Sequence, residues 1–473
     1  MLAEVAYARR SEVVPEEGGS AVALATNLRR DDVHLVARLA DPLTFRDVLL
    51  ALHDVARSEL YVSAQEIERR ALDPVVTVAP GEVYFESFSL DESTYGRVSV
   101  REGALASVER AAFGTTNVEF SDQLRRGLEE VRGRSKVLLR VAASGIALAT
   151  DGKTVAEEKI ELADSWVHGF LAVQASIRRP AVAVDLHPGD LRNVITYLRG
   201  RKETVSPRSL RFRLKPGKAP SVLVEPWNET IELERSSHEA AEDREVRVWG
   251  RRRLLLLQRA LPGAKSARAL LQGSGLPSFW TVDHGALSVT LGLSPWTERD
   301  WAALDPMPLE PGEEAPPARL ERAALALDEK RRASAPEVAV AAGMKEPEAR
   351  VALDRLCRDG RALYDPAGDA YLARRIFTGA IPVPAAGTER ERAARAIVAK
   401  GGVTMQQESR RKGGERVLKA RVQGNGTYDV TAVLVKGGLV RGICACPFFA
   451  RHGLDRGACK HLLALAQSPS AIP

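Results

Sequence analysis

Apolar positions change their period several times along this chain, and each change marks a new element. In "DPLTFRDVLLALHDVARSEL" (41–60), Phe45, Val48, Leu49, Leu52 and Val55 recur every three or four residues, which predicts an amphipathic helix. "SDQLRRGLEEVRGR" (121–134) repeats that period through Leu124, Leu128 and Val131, with Ser121 as the expected N-cap. "SWVHGFLAVQASI" (165–177) and "GDLRNVITYLRG" (189–200) predict two more helices. Between them, "DPVVTVAP" (73–80), "EVYFESFSL" (82–90) and "KVLLRVAASGIALAT" (136–150) read as strands broken by turns. Residues 209–234 read as a hairpin around Lys-Pro-Gly-Lys. Residues 1–303 are therefore expected to be an α+β region, as one body or two subdomains.

Two breaks follow. "LDPMPLEPGEEAPPA" (304–318) has five prolines and no apolar period, so it predicts a linker. "AIPVPAAGT" (380–388) predicts a second. Between them the pattern is compact. Helices are expected at 319–334, 335–344 and 345–360, the last stopped by Gly360. "RALYDPAGDAYLARRIF" (361–377) alternates on both sides of "DPAGD", a hairpin signal. Three helices followed by a β-ribbon resemble a winged helix-turn-helix over 319–379, which implies contact through the third helix. Lys345, Arg350 and Arg355 are the groove or phosphate candidates there.

Beyond residue 389 the period returns to two. Residues 415–422 and 427–435 alternate as paired strands across "GNG", and "KGG" (436–438) turns into a third strand, "LVRGI". That strand delivers "CACPFFARHGLDRGACKH" (444–461), which holds three of the four cysteines in 473 residues. Cys444 and Cys446 are one residue apart, as are Cys459 and His461, with twelve residues between the pairs. Thiolates and imidazole are the ligand set of tetrahedral zinc, and Cys₃His fills all four positions. Cys459 falls at the start of a helix, "CKHLLALAQ", where free N–H groups favour a thiolate. A disulfide would leave one of the three cysteines over. His452 lies in the loop as a competing ligand, and His461 is preferred because it completes the Cys-x-His pair. Cys357, beside Leu353 and Leu356, reads as a buried small hydrophobe.

C-x-C on a strand, a loop, then C-x-H at a helix start resembles the SWIM zinc finger family. The residues that carry the likeness are Cys444, Cys446, Pro447, Cys459, Lys460, His461 and the strands of "YDVTAVLVKGGLVRGI". The resemblance implies one structural Zn²⁺ in a small β-β-α module over 389–473. It also implies a role in DNA or protein contact rather than catalysis. "GLSPWTERDW" (292–301) and "EPWNETI" (225–231) also resemble bacterial proteins that carry this finger at the C-terminus.

Charge sharpens the reading. Residues 387–473 carry fifteen Lys/Arg and six Asp/Glu, a net of +9; the chain total is +6, so the rest sums to −3. Arg410, Arg411, Lys412, Arg441, Arg451, Arg456 and Lys460 are the cations expected to meet an acidic partner, DNA first. The winged-helix segment, 319–377, has twelve Lys/Arg against ten Asp/Glu, a weak footprint for DNA. The other reading is therefore a protein-interaction subunit beside an ATPase encoded separately.

The sequence has no G-x-x-x-x-G-K-[ST] loop and no G-x-S-x-G elbow. "VDLHPGD" (184–190) groups Asp185, His187 and Asp190, and reads as a turn and helix cap before an acid–base site. "VDHG" (282–285) reads as a hairpin turn, and His168 as a core histidine. "WGRRRLLLLQRALP" (249–262) reads as a helix headed by three solvated arginines, with nucleic-acid contact the lesser reading. An enzyme site within 1–303 stands as a third alternative to the adaptor, and no small-molecule substrate is indicated. Four cysteines, no secretory leader pattern and no apolar run near 18 residues lead to the expectation of a cytoplasmic chain without a membrane span.

Overall fold

The fold is that of a computed structural model. It describes residues 3–5, 12–16, 19–25, 33–58, 74–79, 81–118, 120, 122–133, 136–142, 160–162, 164–202, 205–295, 301, 315–374, 389–410, 415–435, 438–452, 454 and 458–468. Two compact units divide the chain, Met1–Met307 and Pro308–Pro473. Both mix helices with mainly antiparallel sheets. No helix among the described residues is long and apolar enough to cross a membrane.

The first unit is built on a nine-stranded antiparallel sheet. Its middle is the pair Thr94–Arg101 and Leu287–Leu293, in register Val100 with Leu287 and Thr94 with Leu293. Val98 and Val100 alternate with Arg97 and Ser99, so one face is apolar, and the helix Pro42–Ala56 packs on this strand pair through Val48, Leu52 and Val55. That helix starts where Asp41 accepts from the Thr44 N–H at 3.0 Å. A five-stranded sheet includes one parallel pair, Gly19–Ala25 with Val137–Ala142. A four-stranded sheet contains the expected hairpin, Ser209–Leu214 with Ser221–Val224, extended by Glu229–Glu232 and Arg244–Trp249. The helices expected at 121–134, 165–177 and 189–200 form as Asp122–Glu130, Asp164–Ile177 and Pro188–Gly200. Ser121, residues 143–150 and the His168 side chain lie outside the described residues.

The arginine run departs from both expectations for it. Arg251–Ala260 is a 3-10 helix, and Arg251 and Arg253 are buried. Arg253 donates to Ser93 O at 2.6 Å, Ser294 O at 2.9 Å and Ser294 Oγ at 3.0 Å, and Arg251 donates to Glu225 O at 3.1 Å. The planar guanidinium fork satisfies carbonyls that apolar side chains could not. These two buried cations hold segments of the first unit together.

Elements of the second unit are numbered within it. Helices α1 (Pro317–Lys330), α2 (Ala335–Ala342) and α3 (Glu346–Arg358) accompany strands β1 (Arg332–Ala333), β2 (Ala362–Asp365) and β3 (Ala370–Ala373), in sheet order β1-β3-β2. Gly343 ends α2 at φ +62°, a left-handed cap that glycine takes without a Cβ penalty. Helix α4 (Glu389–Ala399) leads into an antiparallel sheet of β4 (Val403–Arg410), β5 (Arg416–Gln423), β6 (Thr427–Val435) and β7 (Gly438–Cys444), followed by α5 (Pro447–His452) and α6 (Lys460–Gln467). Helix α1 begins at Pro317, inside the segment expected to be linker; residues 304–314 and 380–388 lie outside the described residues. The helical segment and the Cys/His segment, expected as separate modules, belong to one unit. Helix α1 packs against both α5 and β7.

Candidate metal centre

Antiparallel pairing puts Cys444 at the end of β7, opposite Val430 of β6, on the face that carries Ala432 and Leu434. The ladder ends at Cys444, and Pro447 begins α5 three residues on. The Cys446 carbonyl accepts from Ala450 at 2.9 Å, and its sulfur accepts from the Phe449 N–H at 3.4 Å. Cys459 is the N-cap of α6, and its carbonyl accepts from Leu463 at 3.0 Å. His461 lies in the first turn of α6. Leu462, Leu463 and Leu465 bury that helix on the sheet with Leu418, Ala420, Val422 and Val430. The approach is close: a Cβ at Gly442 would overlap Leu462 Cδ2 and lie 3.1 Å from Thr431 O. Glycine in β7 is what lets α6 lie low enough for its first turn to face Cys444.

All four candidate ligands are at most 3% exposed. Their ligand atoms lie within 4.8 Å of one another. Cys444 Sγ and His461 Nδ1 are 3.7 Å apart. Metal bonds of about 2.3 Å to sulfur and about 2.0–2.1 Å to nitrogen, set tetrahedrally, give an S···N edge of about 3.6 Å. The Cys444–His461 edge matches a tetrahedral ion, and the donor set as a whole, within 4.8 Å, must draw together to close on one. The four sequence-predicted ligands are brought together, and this group can hold a metal ion.

Three thiols this close cannot all ionise alone. Hydrogen bonds with Cys444 and Cys459 hold Cys446 far below the usual thiol range. Hydrogen bonds to Cys446 and Cys459, with burial, push Cys444 far up. A bond with Cys444 lowers Cys459, but the bond to Cys446 and burial outweigh it and leave it at about 11. A divalent cation held by these four residues would favour the ionised thiols and release their protons.

Two neighbours escape sequence reading. Tyr428 lies against the His461 ring, with centroids 4.6 Å apart and planes at 42°. The alternation of "TYDVTAV" places Tyr428 on the same face as Val430 and Ala432, which is the signal available for it. Arg390 of α4 sits over the Phe448 ring at 5.2 Å and donates to Ala458 O at 3.2 Å, so it bridges the two halves of the ligand loop. Nothing local in the sequence points to Arg390.

The expected partner-contacting cations divide into three groups. Arg410 and Arg451 are exposed, and Lys460 is half-buried, its Nζ 3.5 Å from Asn425 Oδ1. Arg441 corrects the expectation: it is buried, pairs with Asp328 at 2.5 Å and donates to Ala324 O at 3.2 Å. Its position opposite Val433 turns it toward α1. Arg411, Lys412, Arg456 and the His452 side chain lie outside the described residues. On α3, Arg350 pairs with Glu346 at 3.1 Å and Arg355 with Asp359 at 3.0 Å, while Lys345 is exposed before the helix.

The acid–base candidates of the first unit hold structural partners. His187 Nδ1 accepts from the Gly189 N–H at 3.1 Å and caps Pro188–Gly200. Asp190 is buried and accepts from Arg235 at 2.7 Å and Ser236 at 2.8 Å. Asp185 pairs with Arg268 at 3.3 Å. Residues 284–286 form the turn between Ser278–Asp283 and Leu287–Leu293. Cys357 is fully buried on α3 with Leu353 and Leu356.

Comparison with known proteins adds little. No family model matches the chain, and no curated protein matches it. Among solved structures, the proliferating cellular nuclear antigen of Entamoeba histolytica aligns over 55% of this chain and 98% of its own, at 9% identity and a TM-score of 0.39. A likeness that distant carries no weight for fold or function.

Proposed function

We propose that Pro308–Pro473 is a zinc-held, non-enzymatic adaptor of the SWIM type that meets an acidic partner, DNA in the first place. The observation that carries the metal part is the buried Cys444, Cys446, Cys459 and His461 quartet, with ligand atoms within 4.8 Å. Four protein ligands leave a tetrahedral ion no place for substrate, so the ion is structural. The partner reading rests on the +9 balance of residues 387–473. Arg410, Lys419, Lys400 and Arg451 are exposed there. The order of α1–α3 followed by the β2–β3 hairpin supports the winged-helix reading of 319–379, a second DNA-compatible element in the same unit.

Salt separates this from a neutral docking surface. Fluorescence anisotropy of the zinc-loaded chain on labelled duplexes should show binding that is largely independent of sequence. Its affinity should fall as a power of salt concentration, by about −0.9 in log–log slope per phosphate contacted. Absence of binding even at low salt overturns the DNA reading. One observation favours a protein partner instead, such as a separately encoded ATPase: Arg350 is matched by Glu346 of its own helix and Arg355 by Asp359, which caps that helix. A nuclease-resistant protein captured by the full chain would place that reading first.

A further inference from the structure

The imidazole of His461 is placed in an unusual way, and the inference drawn from it rests on the zinc reading above. Nδ1 faces Cys444 Sγ at 3.7 Å. The other nitrogen, Nε2, is buried and has no hydrogen-bond partner among the described residues. It points at Gly424, the first residue of the "GNG" turn between β5 and β6. A Cβ at position 424 would overlap Nε2 and lie 3.1 Å from Cδ2 and 3.4 Å from Cε1. Tyr428 packs against the ring at 4.6 Å between centroids.

We infer that His461 binds the metal through Nδ1, and that Gly424 is the positioning residue that keeps room for the far edge of the ring. Gly424 is not among the residues with positive φ, so its backbone accepts an L side chain. The empty space beside its Cα is therefore not a demand of the turn. It is used by the imidazole. Elsewhere a histidine tip would swing aside from a new methyl at small cost. Here the swing would draw Nδ1 out of a bond about 2.0–2.1 Å long and turn the ring away from Tyr428. Residues that orient a metal-bound histidine typically change metal affinity about 10–100-fold.

The test uses the full chain, cobalt(II) as the spectroscopic substitute for zinc, and ¹⁵N resonances of the histidine ring. The wild-type chain is measured first: if it takes up no metal, the zinc reading falls, and the inference with it. If it binds, zinc should shift Nδ1 of His461 as the coordinated nitrogen. Gly424→Ala should weaken cobalt affinity about 10–100-fold and change the tetrahedral d–d bands as the nitrogen ligand is displaced. In a His461→Cys background the same Gly424→Ala change should leave affinity unchanged, because no ring edge reaches position 424. Coordination through Nε2, or undiminished affinity in Gly424→Ala, overturns the inference while leaving the zinc reading intact. An equal loss in the His461→Cys background also overturns it, by placing the effect in the turn itself. Should His461→Cys fail to take up metal, the ring nitrogen shifts decide alone.

Discussion

Arg441 and Asp328 form an ion pair at 2.5 Å with both side chains almost fully buried, and it joins the strand that delivers Cys444 to helix α1. Arg441 also caps the Ala324 carbonyl of the same helix at 3.2 Å. Breaking such a pair on one side leaves an uncompensated charge in the interior, which costs about 3–5 kcal/mol, whereas apolar replacement of both sides is often neutral. Arg441→Met or Asp328→Leu alone should destabilise the second unit by about 3–5 kcal/mol, and the double variant should recover most of it. Chemical denaturation of the four proteins measures the cycle; simple additivity of the two losses would contradict the pairing.

The same contact changes what metal removal should do. Sequence alone leads one to expect that chelation unfolds residues 389–473 and leaves the preceding helices untouched. Helix α5 lies inside the loop between Cys446 and Cys459 and packs on α1, as does β7. Chelation should therefore raise amide hydrogen exchange in Pro317–Lys330 together with that of β7, while Pro42–Ala56 in the other unit stays protected. Exchange confined to residues 389–468 would contradict this coupling.

His53 supplies a pH dependence in the first unit. It is fully buried on the helix Pro42–Ala56, beside Phe120 at 5.3 Å, and neither ring nitrogen has a hydrogen-bond partner among the described residues. Burial, helped by Arg57 and Arg125, lowers its pKa from 6.5 to about 4. The unfolded chain thus takes up the proton first as pH falls. The stability linked to neutral His53 is complete above pH 6.5 and is lost between there and about pH 4, for a total of about 3 kcal/mol. His53→Leu should flatten the stability profile over that window relative to the wild type. Parallel profiles for the two proteins would contradict the assignment.

A charge-only change tests the polyanion surface without touching the ligands. Arg410 ends β4 and is exposed, and Arg411 and Lys412 follow it. Replacing all three by Ser should keep the zinc content. It should weaken binding to every duplex alike and reduce the salt slope by about 0.9 for each phosphate contact removed. An unchanged slope would move the contact elsewhere on the unit.

Much of the second unit was legible because its signals are local. Three helices at three- and four-residue spacing, alternating strands around "GNG", and Cys-x-Cys with Cys-x-His each act over a few residues. The fusion of helices and sheet into one unit was not legible. Arg441 sits in an alternating strand where a charged residue ordinarily faces water, and only tertiary packing against α1 reverses that. Arg251 and Arg253 mislead in the same way, since a run of arginines looks solvated until backbone carbonyls are seen to surround it. The first unit was least readable because its central pair, Thr94–Arg101 with Leu287–Leu293, joins segments far apart in sequence. No local period records that pairing. Gly424 and Tyr428 share this limit, since their meaning depends on where the His461 ring comes to rest.

Metal analysis of the full chain, purified without chelator, decides whether the Cys444, Cys446, Cys459 and His461 quartet holds zinc. The buried quartet predicts one zinc per chain, lost on Cys446→Ser, because a Cys₂His remainder leaves a tetrahedral ion short of a ligand inside a closed site. Apparent zinc free energies of about 10–16 kcal/mol make such loss a folding event as well, visible as loss of structure in the second unit. Freshly prepared wild-type protein with no bound zinc, or a Cys446→Ser variant that retains it in full, would contradict the account.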